Sequence, residues 1–159
     1  MIINEETLYK RKLIIEEDVL NYFHKIILSY DFAVETGGII VGEMRPLEDA
    51  IAITNVSESF EKDSRGRFHF IRKDERHQEY MDKLWIESGY KKMYLGEWHT
   101  HNQKMPIPSS VDIKNWKKIE QRKNVAPELY FIIIGTKRME IWNAFNGYIS
   151  RMDIGEVFV

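Results

Sequence analysis

Apolar positions along the chain switch between two periods, and the switches mark out its elements. Val19, Leu20, Phe23, Ile26, Ile27 and Tyr30 recur at helical spacing and predict an amphipathic helix over Glu16–Ser29. Gly38–Gly42 is apolar throughout and predicts a strand buried on both faces. Ala50–Ser57 alternates, with Ile51, Ile53 and Asn55 on one side, and predicts a second strand. Met44–Asp49 contains Pro46 and is the turn between them. Phe60–Phe70 is polar, carries Asp63, Ser64 and Gly66, and predicts a long loop of the kind that is functional or mobile. Helical spacing returns over Asp74–Ser88 through Tyr80, Met81, Leu84 and Trp85, with Gly89 where a C-cap glycine belongs. Met93–His99 predicts a strand, and Ser109–Lys123 a helix containing Val111, Trp116 and Ile119. Leu129–Gly135, Met139–Phe145 and Tyr148–Ile154 predict three more strands.

The predicted order is therefore α-β-β-α-β-α-β-β-β. Helices that interleave with strands pack on the faces of a central mixed sheet, so the fold class is α/β. The expected core comprises Phe23, Ile27, Ile39, Val41, Leu95, Ile132 and Ile134. There is no internal repeat and no linker, so residues 1–159 are expected to form a single domain.

Composition narrows the chemistry. The 23 basic and 25 acidic side chains leave a formal net charge of -2, which offers no pull toward nucleic acid or an anionic membrane. Cysteine is absent, which excludes disulfides, thiolate zinc sites, iron–sulfur clusters and a cysteine nucleophile. Any metal must be held by His, Asp, Glu or water. No run of about 20 apolar residues occurs, and the polar start MIINEETLYKRK lacks the apolar stretch of a secretory signal. The expected compartment is the cytoplasm.

The informative stretch is Gly96–Trp116. His99 and His101 are two apart at the end of a predicted strand, where i and i+2 share a face, so both imidazoles can reach one ion. Asp112 follows eleven residues later in the first turn of the next predicted helix. Pro106 and Pro108 stiffen the segment between, and Ser109 can cap the helix. Two nitrogens and a carboxylate oxygen make a tetrahedral zinc site with one open position, and water held there becomes a nucleophile near neutral pH. Such a water needs a general base, for which Glu35, Glu43 and Glu97 are the candidates. Glu97 shares strand parity with His99, while Glu35 precedes Gly37 and Gly38, which allow close backbone approach and leave room for a thin substrate chain. Spacing does not choose among the three.

Glu35-Thr-Gly-Gly-Ile-Ile-Val-Gly, then His99-Thr-His101, then Ser109-Ser-Val-Asp112 resembles the motif of the JAMM (MPN-plus) metalloprotease family. The resemblance covers about Glu16 to Phe145. It implies the three-layer helix/mixed-sheet/helix sandwich of JAMM/MPN, cytidine-deaminase-like, domains. It implies a zinc (Zn2+) hydrolase with His99, His101 and Asp112 as metal ligands, Glu35 as the general base and Ser109 as support for the oxyanion. A narrower resemblance, through Asp74, His77-Gln78, Tyr94–His101, Pro106, Pro108-Ser109 and Trp116, is to the bacterial branch found in CBASS anti-phage operons and in integrative and conjugative elements. That branch implies an isopeptidase that cleaves after the C-terminal residue of a conjugated protein, either a nucleotidyltransferase or a ubiquitin-like protein. Maturation of a small ubiquitin-like sulfur carrier, and a non-catalytic MPN scaffold or binding module, are the alternatives. Asn102 departs from the family pattern, which has proline after the second histidine.

The remaining singular residues have plainer expectations. Trp85, Trp98, Trp116 and Trp142 read as core or as packing behind the site, with Trp98 facing away from the two histidines. His24 reads as solvated, and His69 and His77 lack ligand-like spacing. Arg65 and Arg67 read as a solvated charge cluster, and Arg122-Lys123 as favourable charge at a helix C-terminus.

Overall fold

The computed structural model of the protein describes residues 11–122, 126–153 and 157–158. Ten strands and three α-helices follow one another as β1 Lys12–Ile15, α1 Glu17–Ser29, β2 Gly37–Arg45, β3 Ala50–Val56, β4 Ser64–Arg65, β5 Phe70–Ile71, α2 Arg76–Glu87, β6 Met93–Thr100, α3 Ser110–Glu120, β7 Glu128–Ile134, β8 Met139–Phe145, β9 Tyr148–Arg151 and β10 Val157–Phe158. Eight strands form one mixed sheet in the order β10-β1-β3-β2-β6-β7-β8-β9, and β4 pairs with β5 in a separate two-stranded ribbon. The parallel pairs are β1 with β10, β1 with β3, and β6 with β7.

Side-chain parity divides the core into layers. In β7, Tyr130, Ile132 and Ile134 point to one face, where they join Val19, Phe23 and Ile26 of α1. The alternate residues Leu129, Phe131 and Ile133 point to the other face and meet Trp116 and Ile119 of α3, with the Trp116 ring stacked on Phe131. On that same face Ile39 and Val41 of β2 meet Met81 of α2. The expected helix/sheet/helix sandwich is therefore the observed one, with α1 alone on one side. No helix among the described residues is long and apolar enough to cross a membrane.

Several boundaries and placements differ from expectation. β1 was hidden because Lys-Leu-Ile-Ile is too short to show a period, yet Leu13 and Ile15 are fully buried beside β3. The Phe60–Phe70 loop holds β4, the tip of the ribbon and the start of β5. α2 runs from Arg76 to Glu87 and α3 stops at Glu120, so Lys117 and Lys118 supply the charge of its last turn; Lys123 lies outside the described residues, as does Ile154 at the end of the last predicted strand. Ile27 packs on the edge of the core only partly buried. Trp85 is 46% exposed and lies against Tyr90, because α2 covers the sheet chiefly through Met81. The other three tryptophans are buried as expected.

One buried carboxylate organises the segment between β3 and α2. Asp63 accepts backbone N–H bonds from Phe60, Lys73 and Asp74 at 2.8–2.9 Å and lies 2.7 Å from His77 Nε2. His77 Nδ1 lies 2.7 Å from Ser57 Oγ, which also accepts from the Ile39 N–H. Trp98 Nε1–H donates to the Ser57 carbonyl. The ribbon is thus tied through Asp63, His77 and Ser57 to the two central strands that carry the site. Burial opposes ionisation of Asp63, but the three backbone donors and His77 outweigh it and hold the carboxyl below its ordinary value.

Candidate metal centre

A β-bulge aims the histidines. Leu95 and Trp98 both lie in the α1-side core, although three residues apart they would fall on opposite faces of a regular strand. Between them the pairing of β2 with β6 skips from Ile40↔Gly96 to Val41↔Tyr94, leaving Leu95 as the extra residue. Gly96 has φ +138, and a Cβ there would stand 1.8 Å from the Tyr130 carbonyl oxygen, so only glycine passes. Beyond the bulge Trp98 turns toward α1, against Phe23 at 5.4 Å, and Glu97, His99 and His101 turn to the opposite face.

The N-terminus of α3 meets them there. Ser109 Oγ accepts the Asp112 N–H at 3.1 Å and the Ser109 N–H donates to Asp112 Oδ2 at 2.8 Å, a reciprocal capping box. The box orients the Asp112 carboxylate toward the strand end. His99 Nε2 lies 3.0 Å from His101 Nε2 and 3.3 Å from Asp112 Oδ1, and His101 Nε2 lies 3.2 Å from Asp112 Oδ2. Ligands about 2.0–2.1 Å from a tetrahedral zinc stand about 3.3–3.4 Å apart, so the two histidine nitrogens and the carboxylate, which turns one oxygen to each of them, have close to the spacing of one face of such a site. The donor set fits the group.

Protonation fits it as well. Gln103 Oε1 accepts the Ile107 N–H at 3.1 Å, which fixes that atom as an acceptor, and it lies 3.3 Å from His101 Nδ1. His101 Nδ1–H therefore donates to Gln103, and Nε2 faces Asp112, to which it donates when protonated and beside which it would ligate a metal once that proton is lost. Burial lowers the His101 pKa, but the hydrogen bond and charge of Asp112 and the charge of Glu35 outweigh it and hold the imidazole above its ordinary value. Burial raises the Asp112 pKa, and the hydrogen bonds from His101 and His99 overcome it and hold the carboxyl far below the usual range. The pair attracts positive charge, and a metal would bind in competition with protons.

Glu35 stands just outside the three. Its Oε1 lies 3.8 Å from His101 Nε2, and Glu35, His99 and His101 each bring one ligating atom within 4.8 Å of the others. Burial pushes the Glu35 carboxyl up; the two histidines oppose it and Asp112 adds to it, for a net upward shift. The other candidate bases are engaged elsewhere. Glu43 lies 3.7 Å from Arg45, and Glu97 takes a 2.8 Å hydrogen bond from Arg72.

A cleft of about 410 Å³ opens onto the cluster, lined by Glu35, His101 and Ser109, by Arg67 and Phe68 from the ribbon tip, and by Asn102, Gln103, Ile107 and Pro108. Gly37 and Gly38 do not widen it, contrary to expectation. The Phe70 ring fills the space of a Gly37 Cβ at 2.7 Å, and the Ser57 carbonyl stands 2.1 Å from that of Gly38. The close approach they allow is used by the protein itself. Arg65 is not merely solvated either, since it donates to the Glu35 carbonyl and to Tyr30.

Residues 27–145 match the family described as prokaryotic homologs of the JAB domain. The chain belongs to this family. Among relatives of this JAB-domain protein, one from Escherichia coli strain TW11681, called CD-NTase/cGAS isopeptidase, is 33% identical over 135 residues, covering 84% of this chain and 81% of that protein. Another of the same name from Vibrio cholerae serotype O1 is 29% identical over 108 residues, covering 68% of this chain and 65% of that protein. A solution structure from Desulfitobacterium hafniense superposes with a TM-score of 0.58 at 16% identity, over 92% of this chain and 91% of that one, a likeness of fold alone. The JAB domain also uses residues that spacing did not single out. Gln103 orients His101, and Arg72 occupies Glu97. The first contact lies within one loop and the second spans 25 residues, and no periodicity marks either.

Proposed function

We propose that this JAB-domain protein is a zinc isopeptidase of the cytoplasm, which cleaves after the C-terminal residue of a conjugated protein, a nucleotidyltransferase of a CBASS anti-phage system. The observation that carries the reading is the triangle of His99 Nε2, His101 Nε2 and the Asp112 carboxylate, with a buried, proton-hungry Glu35 beside it at the floor of an open cleft. The names of the two relatives support the substrate class.

His99, His101 and Asp112 would hold the metal. Zinc, when bound, supplies Lewis acidity and brings the pKa of a water near neutrality. Glu35 takes the proton of the attacking water and passes it to the departing lysine amine. The water oxygen bonds to the scissile carbonyl carbon as the carbonyl π pair moves to oxygen, and the C–N bond breaks when that oxyanion re-forms the carbonyl and the amine nitrogen takes the proton from Glu35. The raised Glu35 pKa suits a group that must both accept and return a proton. The Ser109 oxygen accepts from Asp112 N–H, so its own O–H is free to donate into the cleft, where it stabilises the oxyanion. The tail runs extended between the ribbon tip, Arg67 and Phe68, and the opposite wall of Ile107 and Pro108.

The test is incubation of the zinc-loaded protein with a CBASS nucleotidyltransferase joined through its C-terminus to a reporter. Release of the reporter at that junction, stopped by a chelator and by Glu35→Gln, is the expected result. Efficient cutting of casein with the fusion untouched would overturn the substrate assignment, and cutting only of a sulfur-carrier extension would replace it.

A further inference from the structure

The peptide of Glu35 is gripped by the ribbon at both of its polar groups. Its N–H donates to the Gly66 carbonyl at 2.8 Å, and its carbonyl accepts from Arg65 Nε at 2.9 Å. The Arg65 guanidinium also donates through Nη2 to Tyr30 Oη at 2.7 Å, and the Tyr30 hydroxyl donates to the Val34 carbonyl at 2.6 Å. One residue on, Thr36 is held from the other side. Its N–H donates to Thr100 Oγ1 at 3.0 Å, and its carbonyl accepts the Thr100 N–H at 2.9 Å. Glu35 is thus suspended between the end of β6, which carries the histidines, and the ribbon, which carries the cleft wall.

An exposed arginine spends side-chain entropy when it is held in one geometry, and most surface charges avoid that cost by staying solvated. Here the planar fork serves two acceptors on one short loop, a task for which lysine has the wrong shape. Two and three residues along the chain, just past Gly66, Arg67 and Phe68 line the cleft. A substrate that presses on the ribbon tip therefore acts one residue away from the carbonyl that holds the Glu35 N–H.

We infer that Arg65 is a positioning residue for Glu35, and that the ribbon couples occupation of the cleft to placement of the Glu35 carboxylate. This rests on the proposed role of Glu35 as the base. Poor placement of a reacting group costs on the order of 10- to 100-fold in rate, so Arg65→Ala should lower kcat by about that factor. KM should stay within about twofold of wild type, since the tip residues remain, and bound zinc should be unchanged.

The experiment has two arms on the intact protein. Steady-state cleavage of the reporter fusion is measured for wild type, Arg65→Ala, Arg65→Lys, Tyr30→Phe and Glu35→Gln. Hydrogen exchange at the Glu35 amide is measured for the same set without metal or substrate. The expected result is a kcat loss in Arg65→Ala with partial recovery in Arg65→Lys, a smaller loss in Tyr30→Phe, and exchange of the Glu35 amide at least about tenfold faster in Arg65→Ala. A raised KM with kcat intact and no recovery by lysine would make Arg65 a simple ribbon clamp and overturn the proposal. Unchanged exchange at Glu35 would overturn it too, whatever the activity. If instead Glu35→Gln cleaves as well as wild type, the base assignment fails, and the exchange arm still decides whether Arg65 positions Glu35. Should Arg65→Ala fail to fold, Arg65→Lys and Tyr30→Phe carry both readouts.

Discussion

Replacing Gln103 by alanine tests whether the cleft loop sets the metal affinity. The change removes the acceptor that holds the proton of His101 on Nδ1. Loss of such an outer partner typically costs 10- to 100-fold in metal affinity. The geometry places this case at the low end, because the Nδ1 to Oε1 distance is 3.3 Å and Gln103 is exposed, so water replaces part of the bond. The expected loss is about tenfold, or about 1.4 kcal/mol. The Ile107 N–H loses the same acceptor, but water reaches this exposed bond, so fold stability should change by less than about 1 kcal/mol. Gln103→Glu keeps the acceptor and adds charge, so it should bind zinc at least as tightly as wild type. The assay is competition against a chromophoric chelator at one fixed pH, because ligand protons are released on binding. Binding by Gln103→Ala within twofold of wild type, or weaker binding by Gln103→Glu than by Gln103→Ala, would refute the argument.

Glu35→Gln should abolish cleavage while zinc stays bound, whereas Glu97→Gln, which removes the charge from the 2.8 Å contact with Arg72, should cost about 10-fold; a reversed ranking in a cleavage assay would move the base to Glu97. Ser109→Ala should lower kcat more than it raises KM, and should cost about 1 kcal/mol of stability through the lost cap; chemical denaturation and kinetics compared with Ser110→Ala check both. The folded-state pKa of Asp63 lies below its unfolded value. The stability it contributes is therefore present above about pH 4 and is lost as pH falls below it, because the unfolded chain then binds a proton that the folded chain refuses. Asp63→Asn should flatten the acid limb of a melting-temperature profile, and an unchanged limb would remove Asp63 from the account.

The layered architecture could be read from sequence because each long element carries a clear period. Six of the strands and all three helices of the sandwich show an alternation, a stripe or an unbroken apolar run long enough to be read. β1 and the ribbon could not be read this way, since four residues and two residues are too few for a period, and their stability comes from long-range partners. The convergence of His99, His101 and Asp112 was legible because the two histidines stand two apart at the end of one strand and Asp112 at a helix N-terminus, where local rules fix direction. That Glu35, and not Glu43 or Glu97, faces the histidines was not, since Arg45 engages Glu43 and Arg72 engages Glu97 and spacing shows neither pairing. The histidine face itself was reached by a parity argument that counts only from Trp98 onward. Counted from Leu95 it fails, because the bulge at Gly96 inverts it.

Asp63 gathers the N–H groups of Phe60, Lys73 and Asp74, which stand at the two ends of the segment that contains the ribbon. That segment therefore leaves and re-enters the fold through one pinned point, like a loop of thread knotted at its base. Once the base is closed, the entropy of lengthening the loop grows only with the logarithm of its length, at about 0.6 kcal/mol per doubling. The wall of the cleft is thus interchangeable in size. Residues inserted at the tip, between Gly66 and His69, would extend the reach of the protein over a bulkier partner without moving His99, His101 or Asp112, which hang from the sheet and from α3. A single buried carboxylate anchors the segment whose tip, beyond Gly66, can vary while its base cannot.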